Sequence, residues 1–319
     1  MAIIERCWKR GTLKGHKKIN PVYEQITKDI SEGCVFPAVR ENEIHLYYEG
    51  GRAFRVKPKS VKTHRKYNGE CRDGEVSLYE LTPGLYADIK ERCRGRHVKR
   101  LQNGDCEEGW IVSRLFRRFS YWSRYAESEQ PKLVDIEVRF RGKAKTEKID
   151  LLFLEDDGRL RFVEVKRQDD PRTRWRYDRS TQSKWRNPEV LDQIRGYEDV
   201  LKDGGKSIVD AYGQVRGILA EALELERFSE PIAVCPRVPL LVCRRDAKHG
   251  RNTWLQGELG TCENDEIGDH LVVDGGSIET GSYRTRPPSW CPDGQWERLN
   301  LREVFGKIDN LGATSLRGR

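Results

Sequence analysis

Long apolar runs are missing from this chain. No stretch approaches the roughly 18 residues that a membrane-spanning helix needs, and the opening MAIIERCWKRG has no signal-peptide core. A soluble, cytoplasmic protein without a membrane partner is therefore expected. Cys-x-x-Cys pairs are also absent, and nine cysteines, an odd and scattered set, make a poor disulfide framework. Cys7, Cys34, Cys71, Cys93, Cys106, Cys235, Cys243, Cys262 and Cys291 read in the main as free thiols, with a zinc site as the rival reading. The six histidines (His16, His45, His64, His97, His249 and His270) form no spaced metal pair. Neither a serine-hydrolase elbow nor a Gly-Lys-Ser/Thr phosphate loop occurs. An ATPase, if one takes part, belongs to a separate chain. No internal repeat is visible.

Charge is what the chain has in abundance. Over 319 residues, 34% are charged and the net charge is +8, which favours polyanionic partners without specifying a sequence. The most informative stretch is Ile149 to Arg167, IDLLFLEDDGRLRFVEVKR. It reads as two strands joined by a tight turn at Asp156, Asp157 and Gly158. The first is an apolar run with one carboxylate, Asp150, near its start, and an unpaired charge in a buried strand costs several kcal/mol, roughly, before compensation. The second alternates, so that Leu160, Phe162, Glu164 and Lys166 share one face. Two carboxylates on neighbouring strands offer hard oxygens suited to a divalent cation. A lysine beside them suits water activation or stabilisation of phosphate charge.

A helix follows. Asn187-Pro188-Glu189 reads as N-cap, N1 proline and first-turn acid, and Gly204-Gly205 as the stop. Val190, Ile194, Tyr197 and Leu201 form its apolar stripe, and Gln193 and Tyr197 stand one turn apart on one face.

Asp150, thirteen residues, then Glu164-Val165-Lys166 resembles the PD-(D/E)XK nuclease superfamily, with Ile149 where a proline is expected. Gln193-Ile194-Arg195-Gly196-Tyr197 resembles the Gln-x-x-x-Tyr motif of its RecB-type branch. The resemblance implies an α/β fold of the α+β, mixed-sheet kind, with a restriction-endonuclease-like αβββαβ core over residues 105–245. A β-rich accessory module, 1–100, would precede it, and an irregular glycine-rich extension, 246–319, would follow. It further implies that Asp150, Glu164 and the Val165 carbonyl ligate magnesium or manganese. Lys166 would position the attacking water, and Gln193 and Tyr197 would orient the phosphate. The first core helix of the family often adds a glutamate, for which Glu108 is the candidate and Glu107 its rival. Some RecB-type nucleases carry an iron–sulfur cluster on closely spaced cysteines, but Cys235, Cys243, Cys262 and Cys291 are too far apart, so none is expected.

The remaining elements follow in order. A hairpin is expected from Glu43 to Tyr48 and Arg52 to Lys57 around Gly50-Gly51. A basic loop from Lys57 to Tyr67, a strand from Glu75 to Leu81 and a basic connector over 86–104 come next. A helix from Glu108 to Ala126 buries Ile111, Leu115, Phe119 and Trp122, with Arg117 among the basic residues on its other faces. A strand runs from Lys132 to Phe140. Between Lys166 and Asn187 basic residues alternate with aromatics, and Arg172, Arg174, Trp175, Arg176 and Lys184, with Arg117, are candidates for DNA contact. The rival reading is a solvated surface insertion. A helix from Ser207 to Phe228, with Val209, Tyr212, Val215, Leu219 and Ala222 on one face, leads to a strand from Pro239 to Arg245. Further strands are expected at Trp254 to Glu258 and His270 to Val273.

The function implied is metal-dependent hydrolysis of DNA phosphodiester bonds, in phage defence, restriction or repair. The strandedness of the DNA is open, and there is room for a homodimer or for a helicase, ATPase or other defence-system subunit as partner. Two alternatives stay open: a catalytically inactive nucleic-acid-binding module of the same fold, and a structural partner subunit. Taken singly, each site residue has an ordinary reading. Asp150 is a strand-end partner of an arginine, Glu164 and Lys166 a same-face ion pair, and Tyr197 a core residue.

Overall fold

The computed structural model describes residues 4, 6–8, 11–102, 108–140, 148–167, 170, 172, 176–177, 185–186, 189–244, 272–277, 301–302 and 305. The chain is mixed α and β, with antiparallel and parallel strand pairings. It forms two compact units, Met1–Arg161 with Gly204–Val234, and Phe162–Asp203 with Cys235–Arg319. No helix among the described residues is long and apolar enough to cross a membrane.

In the first unit, helix α1 (Tyr23–Ser31) precedes a five-stranded antiparallel meander: β1 (Val35–Arg40), β2 (Glu43–Tyr48), β3 (Gly51–Lys57), β4 (Ser60–His64) and β5 (Glu75–Leu78). Alternation sorts its faces. Val39, Ile44, Leu46, Phe54 and Val56 are buried, whereas Arg40, Glu43, His45, Arg52 and Arg55 carry charge or polarity on the other side. The expected hairpin is present with its turn one residue earlier than Gly50-Gly51. Tyr48 pairs with Gly51, so Glu49 and Gly50 make the turn, with φ of 43° and 76°. Glycine is required at 50, where an added Cβ would lie 2.6 Å from the Trp110 nitrogen. In β3 the register steps from Phe54 to Arg52 against Leu46 and Tyr47, leaving Ala53 as a bulge. The Thr63 hydroxyl donates to the Ala53 carbonyl at 2.8 Å. The bulge lets Arg52 and Arg55, three positions apart, face the same side.

The stretch from Lys57 to Tyr67, expected as a basic loop, is instead mostly β4 and a short helix, α2 (Arg65–Asn68), with Tyr67 buried. The basic connector is helix α3 (Pro83–Gln102). Helix α4 (Glu108–Phe119) ends earlier than its periodicity suggests and buries Trp110, Ile111, Leu115, Phe116 and Phe119. Strands β6 (Lys132–Arg139) and β7 (Lys148–Leu154) pair antiparallel, with a register step between Leu133 and Asp135.

Strand β8 (Arg159–Arg167) follows the expected turn, where Gly158 has φ of 83° and its N–H reaches the Glu155 carbonyl at 3.0 Å. Short strands β9 (Arg176–Tyr177) and β10 (Trp185–Arg186) pair with each other. Helix α5 (Glu189–Leu223) is a single helix of 35 residues, running through Gly204-Gly205 where a break was expected. A pair of glycines costs a helix only about 2 kcal/mol against alanine, which flanking apolar turns outweigh. In the first unit its buried face is Ile208, Ala211, Tyr212, Val215 and Leu219, so Ile208 rather than Val209 starts the stripe. Two-residue strand β11 (Ala233–Val234) pairs parallel with the start of β8. In the second unit, β12 (Leu240–Arg244) runs parallel to β8, and β13 (Val272–Ser277) parallel to β12. The strand expected over Trp254 to Glu258 lies outside the described residues.

The first unit is tied at Asp135, 1% exposed on β6. Its carboxylate accepts from Arg6 at 3.1 Å, Arg40 at 2.9 Å and the Tyr212 hydroxyl at 2.7 Å. Burial alone would raise its pKa, but the Arg40 and Arg6 guanidiniums and Tyr212 outweigh it and hold the carboxyl below the usual carboxylate range. Glu137 is likewise lowered against its burial by Lys148, 2.6 Å away. With depressed native pKa values, the stability these two groups contribute is fully present above the unfolded range near pH 4 and is lost as pH falls through their native values. Asp135→Asn should cost about 3–5 kcal/mol at neutral pH, since two buried guanidiniums lose their counter-ion. It should also flatten the acid-side loss, both effects being read from urea denaturation at pH 7 and in acid.

Candidate active site

The second half of β8 packs Phe162, Val163, Glu164, Val165 and Lys166, all nearly fully buried. Its Glu164 N–H donates to the Pro239 carbonyl at 3.0 Å, and Glu164, Val165 and Lys166 register against Leu240, Leu241 and Val242 of β12. Two ionisable side chains in a buried strand need partners, and they serve each other. The Lys166 ammonium is 2.5 Å from Glu164 Oε1 and donates to the Val165 carbonyl at 2.9 Å.

Helix α5 supplies the other side of the cluster. Its apolar face, with Val190, Leu191, Ile194 and Leu201, is buried, which fixes where Gln193 and Tyr197 point. The Gln193 amide donates to Glu164 Oε1 at 3.0 Å and to the Tyr197 hydroxyl at 2.7 Å. Glu164, Val165, Lys166, Gln193 and Tyr197 thus form one hydrogen-bonded group within the second unit. The Tyr197 side chain is core and site at once, being 4% exposed while its hydroxyl is in the network.

Asp150 and Glu108 belong to the first unit. Asp150 is half-buried on β7 between the fully buried Ile149 and Leu151. Glu108 is half-buried as the first residue of α4, where an acid also complements the helix dipole; Glu107 lies outside the described residues. Of the DNA-contact candidates, Arg172 is held by Asp170 at 2.6 Å, and the Arg117 guanidinium lies 3.9 Å from the centre of the Tyr125 ring. The backbone of Arg176 is in β9, and its side chain, with Arg174, Trp175 and Lys184, lies outside the described residues.

One residue escaped the sequence reading. Glu198, 4% exposed, accepts from the Val238 N–H at 3.1 Å and pairs with Arg237 at 3.5 Å. It holds the entry to β12, and hence the edge against which Glu164 and Lys166 register. An acid next to a stripe residue of the helix was its one signal in sequence.

Among the described residues, no group of three or more His, Cys, Asp or Glu side chains is arranged to hold a metal ion. In donor type the β8 oxygens fit magnesium or manganese: a carboxylate and a carbonyl, both hard, already draw a cation, the Lys166 ammonium. Comparison of the chain with protein-family models, curated proteins and solved structures finds no match.

Because the pair is buried, removing one partner should be worse than removing both. Lys166→Met should destabilise the protein by about 3–5 kcal/mol. Adding Glu164→Gln should recover much of that loss, since the amide keeps the shape and carries no charge. Denaturant titration of the two single variants and the double variant measures this coupling. Additive effects would show that the ammonium does not neutralise Glu164.

Proposed function

We propose that the chain is a metal-dependent DNA nuclease with a restriction-endonuclease-like core. The observation that carries this reading is the Glu164–Lys166–Gln193–Tyr197 network. Four residues picked out by two separate sequence motifs, 29 positions apart between Glu164 and Gln193, are joined by direct hydrogen bonds. Apart from the two-residue strands β9, β10 and β11, the element order α4, β6, β7, β8, α5, β12 is compatible with an αβββαβ core.

In this reading Glu164 and the Val165 carbonyl would hold a divalent cation. Asp150, as the sequence pattern implies, would supply a further carboxylate. The cation, when bound, supplies charge neutralisation at the scissile phosphate. Lys166, an ammonium in a site that excludes most water, orients the attacking water and stabilises charge that develops on phosphate oxygens. Gln193 keeps the Glu164 carboxylate in place, and the Tyr197 hydroxyl fixes the Gln193 amide. The net charge of +8 favours the polyanionic substrate.

A second reading is favoured by the same contact. The Lys166 ammonium engages Glu164 Oε1 and the Val165 carbonyl, two of the oxygens a cation would use, as suits a catalytically inactive nucleic-acid-binding module. Incubation of the protein with linear and circular, single- and double-stranded DNA, with and without magnesium or manganese, separates the two. Cleavage should require the metal and fall by about 100-fold or more in Asp150→Asn. DNA that is bound in a salt-sensitive manner but never cut, with either ion, would favour the second reading.

A further inference from the structure

The polar face of the first unit's meander has no role in the nuclease reading, yet it forms a built cavity of about 690 Å³, within the rough 300–1,000 Å³ range of small-molecule sites. One wall is the β1–β2–β3 face, with Arg40, His45, Tyr47, Arg52 and Arg55, and another comes from Glu137, Arg139 and Lys148. The N-terminal segment closes a third side, held to the β1–β2 turn where the Asn42 N–H donates to the Cys7 carbonyl at 2.9 Å. Six lining side chains are basic (Arg6, Arg40, Arg52, Arg55, Arg139 and Lys148) and three are acidic (Glu41, Glu43 and Glu137), so the lining is net positive.

Three features separate this cavity from an ordinary charged surface. First, His45 is 8% exposed and its Nδ1 has no hydrogen-bond partner among the described residues. Burial, helped by Arg40 and Arg52, pulls its pKa down to about 4 against the pull of Glu43, so the ring is neutral at neutral pH. Burial would raise Glu43, but hydrogen bonds from His45, Arg55 and Lys57 outweigh it and keep the carboxyl ionised. His45 Nε2, 3.0 Å from Glu43, must then carry the proton, which leaves Nδ1 as a bare acceptor. A buried acceptor left unmet costs about 1–3 kcal/mol. Second, Glu137 adopts a left-handed φ of 47° within β6, a strained conformation for a side chain of its size. That backbone turns its carboxylate to the Tyr47 hydroxyl at 3.0 Å and to Lys148. Third, Arg139 is exposed at the cavity and makes no ion pair among the described residues.

The occupant must bring an anionic group for the guanidiniums and a hydroxyl or amino donor for His45 Nδ1. Inorganic phosphate has the charge but fills only a small part of a cavity of about 690 Å³; a neutral nucleoside has the donor but not the charge. We propose that this cavity binds a phosphorylated nucleoside, with the phosphate on Arg139 and its neighbouring guanidiniums and a sugar hydroxyl or base amino group on His45. The same chemistry is offered by a free mononucleotide and by the 5′-phosphorylated end of a strand. The assignment does not rest on the nuclease reading.

Calorimetric titration of the full chain in EDTA, where cleavage cannot intervene, tests it. The probes are dAMP, deoxyadenosine, inorganic phosphate, and one oligonucleotide with a 5′-phosphate or a 5′-hydroxyl. Either dAMP or the 5′-phosphorylated oligonucleotide should bind at least about tenfold more tightly than phosphate or deoxyadenosine. The tighter of the two identifies the source. Arg139→Glu, at an exposed position whose loss does not threaten folding, should weaken that binding by about tenfold or more, whereas Asp150→Asn should not change it. His45→Leu, if it folds, should remove the preference for the nucleotide over phosphate. Absence of nucleotide binding, binding unchanged by Arg139→Glu, or phosphate bound as tightly as dAMP would each overturn the assignment.

Discussion

A single carboxylate, Asp135, is shared by residues 129, 95 and 77 positions away in the chain, namely Arg6, Arg40 and Tyr212. Each of the three also needs it. A guanidinium drawn out of water is tolerable only beside a counter-ion and with its protons placed. The N-terminal segment, β1, β6 and the second half of α5 therefore cannot separate without exposing or orphaning charge. The polar face of the meander inherits this arrangement. Arg40 is fixed by Asp135 beneath it, and the residues around it, Glu43, His45, Arg52 and Arg55, build outward from that point with the bulge at Ala53 setting the spacing of the two arginines.

The second unit repeats the logic on a smaller scale. Glu164 and Lys166, adjacent on one face of β8, would each be prohibitive alone at 1% exposure. Together they neutralise each other, with Gln193 and the Val165 carbonyl taking further hydrogen bonds. Such a pair adds little to stability compared with two apolar residues of equal volume. It does penalise slippage, because a one-residue shift moves every side chain to the opposite face and would separate the charges from Gln193. A strand that could have been wholly apolar carries instead a preset carboxylate and ammonium, held at fixed distance by a helix whose own position is set by Ile194, Tyr197 and Leu201.

These two charged clusters differ in what they leave available. In β8 the ammonium and the carboxylate are mutually engaged, so chemistry there requires a ligand able to compete with a buried ion pair. In the meander His45 Nδ1 has no hydrogen-bond partner and Arg139 no ion pair among the described residues, and both residues line the cavity.

Much of the local structure was legible in the sequence because it depends on neighbours a few residues apart. The alternation of β2 and β3, the Asp156-Asp157-Gly158 turn, the strand pair β7 and β8 and the helical spacing of Gln193 and Tyr197 all follow from periods of two and 3.6 and from the conformational freedom of glycine. The grouping of Glu164, Lys166, Gln193 and Tyr197 was foreshadowed only by the resemblance of two motifs, since spacing puts each pair on one face of its own element and cannot by itself bring strand and helix together. What depended on the rest of the molecule was not. Helix α5 runs through Gly204-Gly205 because packing of the turns on either side outweighs two poor helix formers, a balance that no local window contains. The basic stretch after Lys57 became β4 and α2 because Tyr67 found a buried place. Asp135, Glu198 and His45 look like any other polar residues in the sequence. Their burial, and with it their demand for partners or ligands, was decided only when distant segments closed over them, because the cost of an unmet polar group arises from the loss of water and not from the residue itself.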